Sequence, residues 1–180
     1  MRQAKKEIKD YAVMTGLLEK CHVGRLGTNG ADGYPVVKPL NFAYHSEKIY
    51  FHCALEGEKI EDIKKDHRVC FEVDLPIALV KSRGEPCRAE YLYRSVILKG
   101  RAHIVEDPDE RLQALKLLMQ KYQPDGGYGG FLPEKLRITG VVRIDIEQMT
   151  GKEDLGKGEC REAVLKALEQ GAQLPVVIER

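Results

Sequence analysis

The sequence predicts a mainly β protein with added helices, its antiparallel strands closed or partly closed into a barrel. Three observations carry this. Segments of alternating apolar and polar residues succeed one another through short turns. Those turns include Asn29-Gly30 and Asp32-Gly33, strong hairpin signals. Helices are inserted among the strands only at intervals, which suggests a closed or partly closed barrel rather than a parallel sheet. Strands that are apolar on one face fit a small interior filled by side chains. A ligand is then expected outside the barrel, against a second subunit.

Residues 4–20 read as a helix with Ile8, Tyr11, Ala12, Thr15 and Leu18 along one stripe. Residues 22–28 form a short strand that ends at the Asn-Gly and Asp-Gly turns. From Tyr34 the alternation places Tyr34, Val36, Leu40, Phe42 and Tyr44 on one face, with Lys38 their one charged member; Ile49, Phe51 and Cys53 continue it. A short helix over 57–66 turns Ile60 and Ile63 inward. Val69, Phe71, Val73 and Leu75 then alternate with Arg68, Cys70, Glu72 and Asp74, the cleanest period-2 segment in the chain. Long strands follow over 91–105 and 139–149. The helix between them is announced by Asp107-Pro108-Asp109-Glu110: an N-cap acid, proline at the first helical position and Glu three residues after the cap. Its expected buried stripe is Leu112, Leu115, Leu118, Met119 and Tyr122. A last amphipathic helix spans 159–170 and stops at Gly171. Residues 123–130, with four glycines, read as a mobile loop or lid. The expected division is 1–155, the barrel with its N-terminal helix, and 156–180, the C-terminal helix and tail.

At 180 residues the chain can bury one sizeable core. Its 29 basic and 28 acidic side chains leave a net charge of +1, too little for a broad nucleic-acid or anionic-membrane footprint. No apolar run reaches the length of a membrane span, and the stretch 1–10 is charged rather than signal-like. The expected compartment is the cytoplasm. Five widely spaced cysteines, without a Cys-x-x-Cys pair or zinc spacing, read as reduced thiols, and no metal site is expected. Cys87 stands apart because Arg83 and Arg88 flank it and could favour its thiolate. His22, His45, His67 and His103 read as scattered strand or surface residues, and Asp145 and Glu147 as a solvated face.

The most informative stretch runs from Ile49 to Lys59, where a strand ends, a glycine turn follows and a helix begins. The first amides of that helix lack internal partners. Lys59 in the first turn opposes the helix dipole, a conflict that a bound phosphate resolves and to which His52 can add a donor. A solvated lysine beside Glu58 and Glu61 is the even alternative. Pro35 and Pro39, one of them mid-strand, mark the preceding strand as an edge. Its free backbone groups can serve a planar heterocycle or simply face water.

Taken together, Gly24-Arg25-Leu26-Gly27-Thr28-Asn29-Gly30, Gly33 to Phe42, Ile49 to Ala54 with Gly57 and Lys59, residues 68–74 and residues 93–102 resemble the pyridoxamine 5′-phosphate oxidase-like flavin-binding split barrels. The nearest branch is the one related to nitroimidazole-resistance (Nim) proteins. The resemblance implies a six-stranded antiparallel split barrel, a homodimer and FMN at the subunit interface. Val37, Lys38, Pro39, Leu40 and Asn41 would lie along the isoalloxazine ring. His52, Gly57 and Lys59 would surround the phosphate, Cys53 would also belong to the cofactor site, and Arg94 and Ser95 would reach the flavin from the other subunit. It implies an FMN-dependent oxidoreductase acting on a small molecule, with NADH, NADPH or another reductant as electron source. The alternatives are a flavin-binding module without turnover and a haem-binding split barrel using His52 or a residue of the C-terminal half. The chain has no tryptophan, and residues 174–180 do not match the C-terminal segment of the vitamin B6 oxidases. Oxidation of pyridoxamine phosphate is therefore not expected. Glu58 stands where those enzymes favour a second basic residue.

Overall fold

Period-2 alternation builds most of the sheet. In the computed structural model, which describes residues 4–179, the strands are β1 (Glu7–Ile8), β2 (Gly24–Asn29), β3 (Pro35–Leu40), β4 (Ala43–His45), β5 (Lys48–Cys53), β6 (Arg68–Lys81), β7 (Glu90–Ile104), β8 (Gly140–Asp154) and β9 (Val176–Glu179). The helices are α1 (Tyr11–Lys20), α2 (Glu58–Lys65), α3 (Pro108–Tyr122), α4 (Pro133–Ile138) and α5 (Glu159–Glu169). Met1, Arg2, Gln3 and Arg180, which the sequence reading assigns to the charged N-terminus and the C-terminal tail, lie outside the described residues. Among the described residues no helix is long and apolar enough to cross a membrane.

Strand order is β3-β2-β6-β7-β8-β5-β4, with β1 paired to β8 and β9 to β6 off this path. Neighbours β2–β3, β2–β6, β4–β5 and β5–β8 are antiparallel, whereas β6–β9 is parallel. Only Asn41 and Phe42 separate β3 from β4, so the path returns to its own start. Of the nine strands among the described residues, seven lie on this path and two, β1 and β9, lie off it.

The chain folds as two compact units. One comprises Leu18–Val73 and Ile97–Met149. Its largest fully buried side chains include Phe42, Phe51, Phe71, Leu18, Leu26 and Ile144, each burial worth about 1.5–3 kcal/mol. Phe42 meets Phe71 edge-on at 4.9 Å between centroids. A methyl group on Gly24 would run into the Phe71 ring, so only glycine lets β2 pass there. Helix α3 begins as its sequence predicts, with the Glu110 amide donating to Asp107 at 2.7 Å. Leu115, Leu118 and also Ala114 pack with Ala43, Tyr50, Val105 and Val141, while Leu112, Met119 and Tyr122 are half-buried. In β3 the half-buried face is Val36, Lys38 and Leu40. Tyr34 lies in the turn, 73% exposed, rather than on that face.

The second unit takes residues 4–17, 74–96 and 150–179. Its core joins Ile77, Ala78, Val80 and Leu92 to Leu155 and to Cys160 and Val164 of α5. Here the sequence reading needs two corrections. Helix α1 begins at Tyr11, not at residue 4: Asp10 accepts the Ala12 amide at 2.8 Å, and Glu7 and Ile8 pair instead with Lys152 and Gly151. The buried residues of α1 are accordingly Met14, Leu17 and Leu18. Strand β6 does not stop near Leu75 but runs through Pro76 to Lys81, where β9 pairs with it.

Candidate functional site

The start of α2 is built by a glycine. Gly57 caps the helix at φ +116, a conformation that L side chains rarely adopt, and no side chain caps the helix with it. The amides of Ile60 and Glu61 both donate to the Gly57 carbonyl, at 2.9 and 3.1 Å. Among the described residues the amides of Glu58 and Lys59 have no backbone acceptor, so this end of the helix offers free donors. Ile60 and Ile63 are buried as the periodicity predicts. A buried hydrogen bond, Thr28 Oγ1 to Asp62 Oδ2 at 2.8 Å, ties α2 to β2.

Lys59 rises from this start with its Nζ 5.2 Å from the Phe51 ring centroid. Among the described residues it has no carboxylate partner. His52 and Cys53, at the end of β5, lie within its electrostatic reach. Partial enclosure of the His52 ring, followed by the Lys59 charge, lowers the imidazole pKa below its ordinary value. Burial pushes the Cys53 thiol up, against the pull of Lys59. Both groups are therefore neutral at pH 7. Glu58, the residue that would repel an anion, is held by Lys38 in an ion pair.

Strand β3 forms the other part of the site. Among the described residues it pairs only with β2, with Val37 opposite Gly27 and Pro39 opposite Arg25, and lies at the end of the strand order as its prolines predict. Val37 is 62% exposed, and Pro39 and Asn41 are exposed too. An apolar side chain beside unpaired backbone groups suits a flat, partly polar heterocycle. Val37, Lys38, Pro39, Leu40, Asn41, His52, Cys53, Gly57 and Lys59 all belong to the barrel unit. Arg94 and Ser95 are half-buried on β7 in the other unit, where Arg94 Nε donates to Glu153 at 2.9 Å.

Two residues escape sequence reasoning. Lys121 Nζ lies 3.6 Å from the Phe42 ring centroid and donates to the Leu18 carbonyl at 2.9 Å. The hydroxyl of Tyr122 accepts from the Phe42 amide at 2.9 Å. It also lies 2.5 Å from the His22 carbonyl and 3.1 Å from that of Phe42. Tyr122 looks like one more residue of an apolar stripe, and Lys121 like a solvated lysine. No local signal reveals that both reach the break between β3 and β4.

Residues 12–153 match the sequence profile of pyridoxamine 5′-phosphate oxidase. The chain belongs to that family. Its fold is also that of solved relatives. A candidate 5-nitroimidazole antibiotic resistance protein from Bacteroides thetaiotaomicron is 26% identical, with 82% of this chain and 86% of that one covered and a TM-score of 0.73. An FAD-binding protein from Mesorhizobium loti is also 26% identical, over 81% and 95%, with a TM-score of 0.57. The flavocytochrome Anf3 from Azotobacter vinelandii, 21% identical over 91% and 77%, superposes with a TM-score of 0.76. No curated protein matches the chain.

In this member of the pyridoxamine 5′-phosphate oxidase family the remaining candidates fall to structural roles. Arg83 and Arg88 do not serve Cys87: they pair with Glu179 and Glu85, and the Cys87 sulfur lies 4.0 Å from the Glu85 carboxylate. The histidines are less scattered than expected, since His67 and His103 stack at 6.1 Å. Asp145 and Glu147 are each engaged by an arginine, Arg143 at 2.9 Å and Arg101 at 2.5 Å. Among the described residues no three His, Cys, Asp or Glu side chains group to hold a metal.

Proposed function

We propose that the chain is a homodimeric flavoprotein that binds FMN at the subunit interface and exchanges electrons with a small molecule. The observation that carries this reading is the start of α2. An unpaired Lys59, free helix amides and a neutral His52 stand together there, with Glu58 already held by Lys38 and Glu61 by Lys64. Such a cradle suits a phosphate. In the proposed arrangement Gly57, Lys59 and His52 hold that phosphate with Cys53 beside them in the cofactor site, and Val37, Lys38, Pro39, Leu40 and Asn41 line the ring. Arg94 and Ser95 come from the second subunit. Similarity to proteins described as FAD-binding and as nitroimidazole-resistance supports a flavin and a Nim-related role. The flavin supplies the redox step, while the protein positions it and excludes competing reactions.

The test is a visible absorption spectrum of purified protein, followed by titration with FMN, FAD and riboflavin. Two-banded flavin absorbance and tighter binding of FMN than of riboflavin are expected. Protein that neither carries nor binds any flavin overturns the reading, a Soret band replaces flavin by haem, and preference for FAD replaces the mononucleotide. Reduction of bound flavin by NADH or NADPH, then reoxidation by nitro compounds or quinones, separates an oxidoreductase from a binding module. The module reading draws on the site itself, where His52 and Cys53 are both neutral and, among the described residues, Lys59 is the charge that acts on them.

A further inference from the structure

Asn41-Phe42 is the one break in the run from β3 to β4, and the last residues of the proposed ring-binding segment end at it. Two consecutive side chains at the end of α3 contact this break, one at its main chain and one at its ring. Tyr122 accepts the Phe42 amide and places its hydroxyl against the His22 carbonyl, in the link between α1 and β2. Lys121 sits over the Phe42 ring and ties it to the Leu18 carbonyl at the end of α1. Phe42 is wholly buried and meets Phe71 edge-on, so its main chain has little freedom beyond what these contacts permit.

We infer that Tyr122 and Lys121 are positioning residues for the flavin ring, acting through Phe42 on the backbone of Leu40 and Asn41. The inference rests on the FMN reading above, and concerns the ring end of the site rather than its phosphate end. Tyr122 touches no expected ligand atom; its effect passes through one peptide unit. The clamp is also where α3 stops and the glycine-rich 123–130 segment begins.

The experiment compares wild type with Tyr122→Phe, which keeps the aromatic ring and removes the hydroxyl, and with Lys121→Met. Thermal melts without flavin establish that each variant is folded. Tyr122→Phe is expected to weaken FMN and riboflavin equally, by about tenfold, the effect of one lost hydrogen bond. The ratio of the two affinities stays at its wild-type value, and the absorbance maximum of the bound flavin shifts. Lys121→Met changes both in the same direction by a smaller factor. Amide exchange at Phe42, measured without flavin, quickens in Tyr122→Phe. A folded Tyr122→Phe that binds both flavins as wild type does, with an unshifted spectrum, overturns the inference. So does a change in the FMN-to-riboflavin ratio, which would place the effect at the phosphate. Where Tyr122→Phe does not fold, Lys121→Met decides by the same spectrum and ratio. Wild type that binds no flavin overturns the underlying reading instead, and faster exchange at Phe42 would then mark the clamp as purely structural.

Discussion

Two lysines of the barrel unit sit over phenylalanine rings, and their helix ends are opposites. Lys59 stands in the first turn of α2, 5.2 Å from Phe51, against the helix dipole and without a carboxylate. Lys121 stands in the last turn of α3, 3.6 Å from Phe42, where the dipole favours a cation and the Leu18 carbonyl accepts its proton. The same side chain is thus left available in one place and consumed in the other. A cation whose local energetics are unfavourable and uncompensated points outward to a ligand; one whose contacts are all internal belongs to the scaffold.

The contrast can be broken at its supports. Thr28→Val deprives the buried Asp62 carboxylate of its donor and is expected to lower stability by about 3 kcal/mol, measured by urea unfolding. Little change would mean that α2 holds its place without this bond. Lys59→Ala should weaken FMN binding by about 1–3 kcal/mol while leaving the unfolding midpoint unchanged or slightly raised. An unchanged dissociation constant moves the phosphate elsewhere. Lys121→Met should show the reverse emphasis, a stability loss of about 1–2 kcal/mol from the cation–π contact and the hydrogen bond.

Proton linkage sharpens the same pair. Burial holds the Lys121 pKa at about 8, below its unfolded value, so the unfolded chain binds more protons between there and 10.5. Stability should therefore rise as pH climbs from 8. Tyr50 acts oppositely: burial and the hydrogen bond to Glu110 raise its pKa to about 12, so above pH 10 the folded state is the one that keeps its proton, and stability falls. Lys121→Met should abolish the rise and leave the fall. The smallest effect belongs to His52. A phosphate beside it raises its depressed pKa, so FMN should bind more tightly as pH drops below 6.5. The ionisation of FMN itself is common to wild type and His52→Gln, and the difference between their pH profiles isolates the imidazole.

Where a local rule determined the outcome, the sequence was a sufficient guide. Asp107 caps α3, Val69, Phe71 and Val73 face inward, and Pro39 lies at the end of the strand order. The second half of β6 was not legible, because Leu75-Pro76-Ile77-Ala78-Leu79-Val80 is a continuous apolar run without alternation and contains a proline. β1 and β9, of two and four residues, are too short to have a period. In the candidate site, the glycine turn and the misplaced lysine announced themselves through local chemistry. The Lys38–Glu58 pair and the hold of Lys121 and Tyr122 on Phe42 join residues 20 and some 80 apart, and only the folded chain brings them together.

The parallel pairing of β9 with Ala78–Lys81 of β6 has a bearing on solubility. That stretch of β6 is apolar, and a strand edge of such composition, if bare, is a template for another chain. Four residues at the far end of the sequence occupy it. Chains cut back before Val176 should aggregate through β6 even where the barrel unit is intact, so the last strand serves the molecule chiefly by refusing its neighbours a place to add.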